Sequence, residues 1–204
     1  MGTKQAIINA AITLFGQRGF EGVGTREIAQ AAGKQMSAIS YHFGSKDGLY
    51  RASAIYIADG IRAVLQADNA AGDPRTPAQA LDRILLRLEA MIALMTDPAS
   101  EPWALFMIRE QLEPTATFDL FAEHVFDPLI ERSTTDVALC RPELDEAQVR
   151  ALGATLIGMP IMLRTARAGL MRQMKVDRMD EAVEVLRETI FANARTLLAP
   201  PRHA

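Results

Sequence analysis

Apolar residues recur every three or four positions along most of the chain, the spacing that places them on one face of an α-helix. The first such helix is predicted from Lys4 to Arg18 and ends at Gly19, a residue type that commonly terminates helices. Its apolar positions are Ile7, Ile8, Ala11, Leu14 and Phe15. No segment alternates as a half-buried strand does, so the pattern predicts an all-α fold of about nine helices.

Two short helices joined by a tight turn are predicted between Thr25 and Lys46. Thr25 is expected to cap the first helix with its hydroxyl, and Gly33 to end it. The second helix is predicted from Met36 to His42, with Ile39 facing inward. The positions left to face outward are small or hydrogen-bonding, as close approach to a DNA groove requires. They are Gln35, Met36, Ser37, Ala38, Ser40, Tyr41 and His42.

Longer helices follow this pair. One is predicted from Lys46 to Gln66, one from Pro77 to Met95 with Thr76 as its cap, and one from Trp103 to Leu112. A further helix starts near Thr115. Two more are predicted over residues 145–171, with Pro160 inside, and over 179–198. On the Lys46–Gln66 helix the expected buried positions are Leu49, Ala52, Ile55, Tyr56, Ile61 and Leu65.

Charge is unevenly distributed along the chain. The net charge is −3, but residues 1–62 hold seven Lys or Arg and four Asp or Glu, a net +3 that leaves −6 for the remainder. A basic head on an acidic body is typical of a protein with a polyanionic partner at one end, although chance asymmetry would look the same.

Several classes of protein find no support in the residues. A single cysteine, Cys140, excludes an intrachain disulfide framework and suits a reducing cytoplasm. Residues 1–18 lack the apolar core of a signal peptide, and the longest charge-free apolar run, residues 151–163, is too short to span a bilayer. No metal-ligand spacing, nucleophile motif or cofactor fingerprint is present, so we expect no metal, no cofactor, no membrane and no enzymatic activity.

The residues of the predicted helix pair carry a family resemblance. TREIAQAAG at residues 25–33 followed by YHFGSK at 41–46, with AAITLFGQRGFEGV upstream, resembles the N-terminal helix-turn-helix of TetR-family repressors over residues 5–49. The segment MIREQLEPTATF at 107–118, with Asp127, Pro128 and Leu129, is similar to the C-terminal domain of the CecR branch of that family. The branch resemblance implies a regulator linked to drug or antibiotic sensitivity.

The resemblance implies a DNA-binding role for ten residues. Thr25, Tyr41, His42 and Lys46 would contact phosphates, Lys46 with help from the dipole of its helix. The residues toward the bases would be Gln35, Met36, Ser37, Ala38 and Ser40, with Lys34 in the turn before them. Lys34-Gln35 and Ser40 replace the common Val-Ser and Tyr of the family, so operator preference should be sought there. Each of these residues could instead be an ordinary surface or packing residue.

The body is rich in methionine and aromatic side chains, which suit either an adaptable ligand cavity or simple core packing. Arg109, Glu110 and His124 could be polar anchors in such a cavity, or members of a surface network. The candidate ligand residues are Met91, Trp103, Phe106, Met107, Arg109, Glu110, Phe121, His124, Met159 and Met162.

These patterns lead to one functional hypothesis. Residues 1–48 would form a three-helix DNA-binding head with its motif at 24–43, and residues 49–204 a ligand-binding and dimerisation body. A homodimer formed by the last two helices would bind a palindromic double-stranded DNA operator and be released by an apolar or amphipathic small molecule. A helical small-molecule carrier and a protein-interaction adaptor, neither binding DNA, are the alternatives.

Overall fold

The computed structural model describes residues 2–65 and 72–200, and within them the chain is helical and contains no strand. This confirms the predicted all-α class. If the continuous helical stretch over residues 118–140 counts as one, the described part of the chain has ten helices. The helices are α1 Thr3–Arg18, α2 Thr25–Ala31, α3 Met36–Phe43, α4 Lys46–Leu65, α5 Pro77–Thr96, α6 Glu101–Leu112, α7 Phe118–Phe121, α8 Asp127–Cys140, α9 Glu146–Thr165, α10 Arg167–Met174 and α11 Asp180–Leu198.

By contacts the chain divides into two compact units. The first comprises Met1–Arg62 and Ala99–Phe126, and the second Ala63–Pro98 and Asp127–Ala204. The first unit therefore contains α6 and α7 as well as α1, α2, α3 and the part of α4 that ends at Arg62. The predicted boundary after residue 48 concerns function and stays a prediction. None of the helices in 2–65 and 72–200 is long and apolar enough to cross a bilayer.

Helix α1 forms the centre of the first unit. Its apolar stripe is buried, and the helix packs against α2, α3 and α6. Gly16 permits the close approach of α6, because a Cβ there would lie 3.0 Å from the carbonyl oxygen of Pro102. At the end of α1, Gly19 has a φ of 74°, which lies in the region that favours glycine.

Two details of the sequence prediction are wrong in the N-terminal part of this unit, residues 2–62. Thr25 is the first residue of α2 and its side chain makes no capping bond; the capping position is Gly24. In α4 the buried side chains include Tyr50, Ser53 and Ile57, whereas Ile55 is exposed. The packing of α6 against this unit decides which face of α4 is buried, so the periodicity of α4 alone could not fix its register.

The second unit has its core between α5, α8, α9 and α11. The buried side chains are almost all apolar, and α5 packs against the other three helices. The cap of α5 is as predicted: the Thr76 hydroxyl accepts a hydrogen bond from the Gln79 amide at 3.2 Å, with Pro77 next to it. The part of the predicted Lys46–Gln66 helix and linker that falls on residues 66–71 lies outside the described residues.

The predicted helix over residues 145–171 is two helices. A capping box between Asp145 and Gln148 starts α9, and Pro160 is accommodated within it. The helix ends at Thr165, because Ala166 departs from helical geometry with φ −109° and ψ 19°, and α10 continues from Arg167. Neither glycine nor proline marks this break, which explains why the pattern did not show it.

Residues 118–140 form one continuous helical stretch with a π-helical turn at Ala122–Phe126. The helix predicted to start near Thr115 begins at Phe118, and Thr115 does not cap it. The Thr115 hydroxyl instead accepts from the Thr117 amide and donates to Glu110, and α7 starts at Phe118. π-Helical turns inside α-helices are uncommon and distort the regular hydrogen-bond ladder.

Candidate nucleic-acid interface

Helix α3 is held in the first unit by few side chains. Gly33, with φ 64°, makes the turn after α2, and the Lys34 amide donates to the carbonyl of Ala29 at 2.8 Å. Of the eight residues of α3, only Ile39 is buried, at 2% exposure. Ala38 and Phe43 are half-buried beside it, and the other positions of α3 are left for another partner.

The exposed surface of α3 has the composition predicted for it. Ala38 is half-buried, and Tyr41 is 84% exposed. The exposed positions are Lys34, Gln35, Met36, Ser37, Ser40, Tyr41 and His42. No Asp or Glu occurs between Lys34 and Lys46. An exposed surface of small and hydrogen-bonding residues without acids can approach a polyanion closely and donate hydrogen bonds to it.

Lys46 is the first residue of α4, directly after the turn that ends α3. The Ser45 hydroxyl accepts a hydrogen bond from the Gly48 amide at 3.0 Å, as an N-cap does. The Lys46 ammonium lies 4.2 Å from the centre of the Phe20 ring. Thr25 is half-buried at the start of α2, so its side chain is less accessible than those of α3.

An ion pair links the two helices that support α3. Arg18 at the end of α1 and Glu27 in α2 approach to 2.5 Å, and both remain partly exposed. The Arg18 guanidinium thus neutralises the charge of Glu27, the acid of α2. The nearest remaining carboxylate in sequence is that of Asp47, which follows Lys46 and is exposed.

Two of the candidate ligand anchors, Arg109 and Glu110, lie on α6 and have hydrogen-bond partners elsewhere in the first unit. The Arg109 guanidinium donates to the carbonyl oxygens of Gly16 and Gln17, at 2.8 and 2.6 Å, which satisfies free acceptors at the end of α1. Glu110 is 1% exposed and accepts hydrogen bonds from the Tyr50 hydroxyl at 2.5 Å and from Thr115. Burial and the hydrogen bond to Glu110 raise the pKa of Tyr50 well above its ordinary value.

The other candidate ligand residues of the first unit are mainly packing residues. Trp103 lies over Gly60, where a Cβ would overlap its ring. Phe106 and Phe121 are buried, with ring centres 6.0 Å apart. Met107 and His124 are half-buried, His124 within the π-helical turn.

In the second unit, Met91 lines a narrow cavity between α5, α8 and α9, whereas Met159 is half-buried and Met162 exposed. The sequence analysis missed the other lining residues, Ile84, Arg87, Leu88, Ser133, Val137, Leu156 and Ile157. The signal that could have found this site is a pair of arginines, Arg83 and Arg87, one helical turn apart within the apolar stripe of α5.

Both arginines are buried and share one carboxylate. Arg83 Nε donates to Asp136 at 3.0 Å, and Arg87 Nη2 donates to the other oxygen of the same group at 2.8 Å. Arg87 also donates to the Ser133 hydroxyl at 3.1 Å. The cavity therefore has an apolar wall and a charged, hydrogen-bonding end. Within 2–65 and 72–200, no group of three or more His, Cys, Asp or Glu side chains is placed to hold a metal ion.

Two short helices joined by a tight turn, with the second exposed on most of its surface, define a helix-turn-helix protein of the all-α class. Residues 7–53 match the tetR family of bacterial regulatory proteins. Residues 77–199, more than half of the chain, match the family described as the C-terminal domain of the HTH-type transcriptional dual regulator CecR. The chain belongs to the TetR family, with a C-terminal domain of the CecR type, as the sequence resemblance indicated. This is a family of regulatory proteins and not of enzymes.

Individual relatives agree with this assignment. CecR of Shigella flexneri is 38% identical over 141 residues, an alignment that covers 66% of this chain and 63% of CecR. The chain thus spans less than two thirds of the length of that relative. The TetR-family regulator PfmR from Thermus thermophilus has a TM-score of 0.64 at 19% identity, with 100% of both chains covered.

A second solved structure, of AibR in complex with isovaleryl coenzyme A and operator DNA, has a TM-score of 0.66 at 17% identity. It covers 80% of this chain and 86% of AibR. At these identities PfmR and AibR show a shared fold and nothing finer.

Proposed function

We propose that the protein is a ligand-responsive transcription regulator of the bacterial cytoplasm, most simply a repressor. The observation that carries this proposal is the exposed, acid-free surface of α3, bounded by Lys34 and Lys46. A side chain such as Tyr41, 84% exposed at the end of a helix with one buried anchor, contributes little to folding and is available to DNA. The relatives CecR, a transcriptional dual regulator, and AibR, solved with operator DNA, support the same role.

In this proposal one set of side chains in and around α3 contacts bases and another contacts phosphates. Gln35, Met36, Ser37, Ala38 and Ser40 face base edges, with Lys34 beside them. Thr25, Tyr41, His42 and Lys46 contact phosphates. Phosphate contacts supply most of the affinity and make it salt-dependent, whereas the α3 side chains supply sequence preference.

A homodimer formed through α9 and α11 is the second part of the proposal. Along α9 an exposed stripe free of charge repeats at helical spacing, and α11 carries a similar one. The α9 stripe is Ala151, Ala154, Thr155, Gly158, Met162 and Thr165, and the α11 stripe is Val185, Thr189, Ala192 and Thr196. Small residues let helices of two protomers approach closely, and nothing lies within 4 Å of the Cβ position of Gly158.

The third part is a small effector, apolar or amphipathic, bound in the body. The second unit offers a position for it, where Leu88, Met91 and Leu156 form an apolar wall and Arg87 with Ser133 a polar end. The cavity of about 10 Å³ would have to widen to admit a ligand larger than a water molecule. Methionine side chains adapt their shape to a ligand at low cost. Effector binding would weaken operator binding by roughly 5–150-fold, the usual range of coupling between two sites.

Selection from a pool of random-sequence DNA duplexes tests the proposal even though the operator sequence is unknown. The expected result is enrichment of an inverted repeat whose half-sites are centred about 34–36 Å apart, one helical turn. Affinity for the enriched duplex should fall steeply with salt. If no sequence is enriched and the residual binding is insensitive to salt, the protein is no DNA regulator, and the carrier or adaptor alternatives take its place.

A further inference from the structure

The contact between Lys46 and Phe20 is not explained by the fold of either segment. The Lys46 ammonium lies 4.2 Å from the centre of the Phe20 ring, within the distance at which a cation is attracted by an aromatic face. Lys46 is half-buried and takes part in none of the ion pairs formed among the described residues. The ring is thus its partner in the protein, and its N–H donors are free to meet an anion outside.

The position of Lys46 needs such a partner. A cation in the first turn of a helix faces the positive end of the helix dipole, which disfavours it. The electron-rich face of an aromatic ring offsets this cost and also restricts the lysine stem, which otherwise samples many rotamers. A phosphate that binds at the start of α4 would then meet an ammonium that is already ordered.

The Phe20 ring is itself fixed by buried aromatic neighbours. Its centre lies 5.0 Å from that of Tyr50, edge to face, and 6.0 Å from that of Phe15. Tyr50 is held in turn by stacking on Phe106, with centres 4.6 Å apart, and by its hydrogen bond to Glu110. Phe20 therefore sits on a rigid base, while its outer face carries Lys46.

We propose that Phe20 is a positioning residue for DNA binding: its ring holds the Lys46 ammonium in place beside the start of α4 to receive a DNA phosphate. The proposal rests on the proposed function, because it assigns a supporting residue to one of the phosphate contacts. Phe20 does not touch DNA in this arrangement. It acts only through Lys46. A loss of affinity on replacing Phe20 should therefore require Lys46, whereas a packing effect would not.

The test is a double-mutant cycle on the duplex selected above, measured by fluorescence anisotropy at several salt concentrations. Lys46→Ala should lower affinity about tenfold or more and make the slope of log affinity against log salt shallower by about 2, since each of two heads loses one phosphate contact. Arg172→Ala, which removes one exposed positive charge from α10, is the matched control and should bind as the wild type does.

Phe20→Leu keeps an apolar side chain and removes the ring. It should lower affinity about threefold per head, hence about tenfold for a dimer, with the salt slope nearly unchanged. Phe20→Tyr retains an aromatic face and should stay within roughly twofold of the wild type. In the Lys46→Ala background, Phe20→Leu should cause no further loss. An equal loss in both backgrounds would show that the ring acts by packing, and would overturn the proposal.

The outcomes separate the two proposals. A wild-type protein without salt-sensitive, sequence-preferring binding overturns the proposed function. A wild type that binds, with Lys46→Ala weakened and Phe20→Leu unaffected, overturns only the positioning role. If Phe20→Leu does not fold, NMR of the free wild type decides the matter. The Lys46 ε-methylene protons should be shifted upfield by the ring, and random-coil shifts would contradict the contact.

Discussion

Helix α3 in the first unit and helices α9 and α11 in the second both expose more than folding requires, but they expose different chemistry. Helix α3 buries Ile39 alone and turns hydrogen-bonding side chains outward, with a lysine before it and another after it. Helices α9 and α11 each bury a full stripe in the core and expose a second stripe of small, uncharged residues. The first surface suits a polyanion, and the second suits another protein helix.

This difference indicates which side chains are candidates for contacts with a partner. A side chain that is exposed and makes no contact in its own unit is not explained by stability, so its chemistry reports on a partner. In the first unit that chemistry is donor-rich, and in the second it is apolar and small. The predictions below test whether the two surfaces have separate roles.

The largest effect is expected from a charge placed in the uncharged stripe of α11. Thr189→Arg should give monomers by light scattering, because desolvating an unpaired guanidinium in a packed helix interface is costly. Affinity for the full inverted repeat should fall about 10²–10⁴-fold, because the two DNA-binding heads are no longer joined in one dimer.

Leu112→Arg, at a residue that is 77% exposed in the first unit, is the control for the dimer prediction and should remain dimeric. A dimeric Thr189→Arg protein would exclude this stripe from the interface. Gly158→Arg, on α9, should reproduce the Thr189→Arg result if the two stripes form one surface.

The next effect concerns stability of the second unit. Asp136→Asn removes the negative charge that Arg83 and Arg87 share, and should lower the free energy of unfolding by about 3 kcal/mol, as loss of one member of a buried ion cluster does. Thermal or urea denaturation measures it. At a temperature where the variant is folded, the affinity of a single head for a half-site should be unchanged, and a parallel loss would contradict the separation of roles.

A smaller loss is expected in the first unit from Tyr50→Phe. The variant removes one hydrogen bond to Glu110, which still accepts from Thr115, so the cost should be about 1–2 kcal/mol. Tyr56→Phe, on the same helix and half-buried, is the matched control and should change unfolding by less than about 0.5 kcal/mol. Equal effects of the two variants would mean that the Tyr50 hydroxyl contributes nothing specific.

The smallest effect is one of reactivity. Burial, and then the carboxylate of Asp136, raise the pKa of the Cys140 thiol to about 11. At pH 8 alkylation by iodoacetamide should be at least about 100-fold slower than for an exposed thiol, because the thiolate is scarce and shielded. The folded state holds the thiol proton more tightly than the unfolded state does. The contribution of this thiol to the free energy of unfolding is therefore lost as pH rises from about 8.5 to 11. Rapid alkylation at pH 8 would show that the interior opens there.

Local signals made much of the architecture predictable. Gly19, the Thr76 cap with Pro77, and the outward set on α3 depend on residues within one or two turns, and the structure agrees with each. On α4 the predicted buried positions Leu49 and Ile61 are buried, but Ile55 is exposed, because part of the buried face of α4 is set by contacts with α6, which is distant in sequence. For Glu110 the sequence left a cavity anchor and a surface network open; the side chain is buried and accepts a hydrogen bond from Tyr50, a residue distant in sequence.

The residues proposed to contact DNA could be named from the sequence, but the residues that support them could not. Motif and composition indicated Tyr41 and Lys46, because both lie in one contiguous stretch. Nothing in the sequence places Phe20 under Lys46, since that contact depends on the turn between α1 and α2 and on its aromatic base. Arg87 and Ser133, at the polar end of the cavity, come from different helices and were missed for the same reason.

The most direct test of the account compares two exposed side chains of the first unit, Tyr41 at 84% and Leu112 at 77% exposure. Each is replaced by alanine, and affinity for the selected duplex is measured over a salt series. Tyr41→Ala should bind about tenfold more weakly with the salt slope unchanged, because a neutral hydroxyl releases no counterion. Leu112→Ala should bind as the wild type does. Wild-type affinity in Tyr41→Ala, or an equal loss in both variants, would contradict the assignment of α3 as the DNA-binding surface.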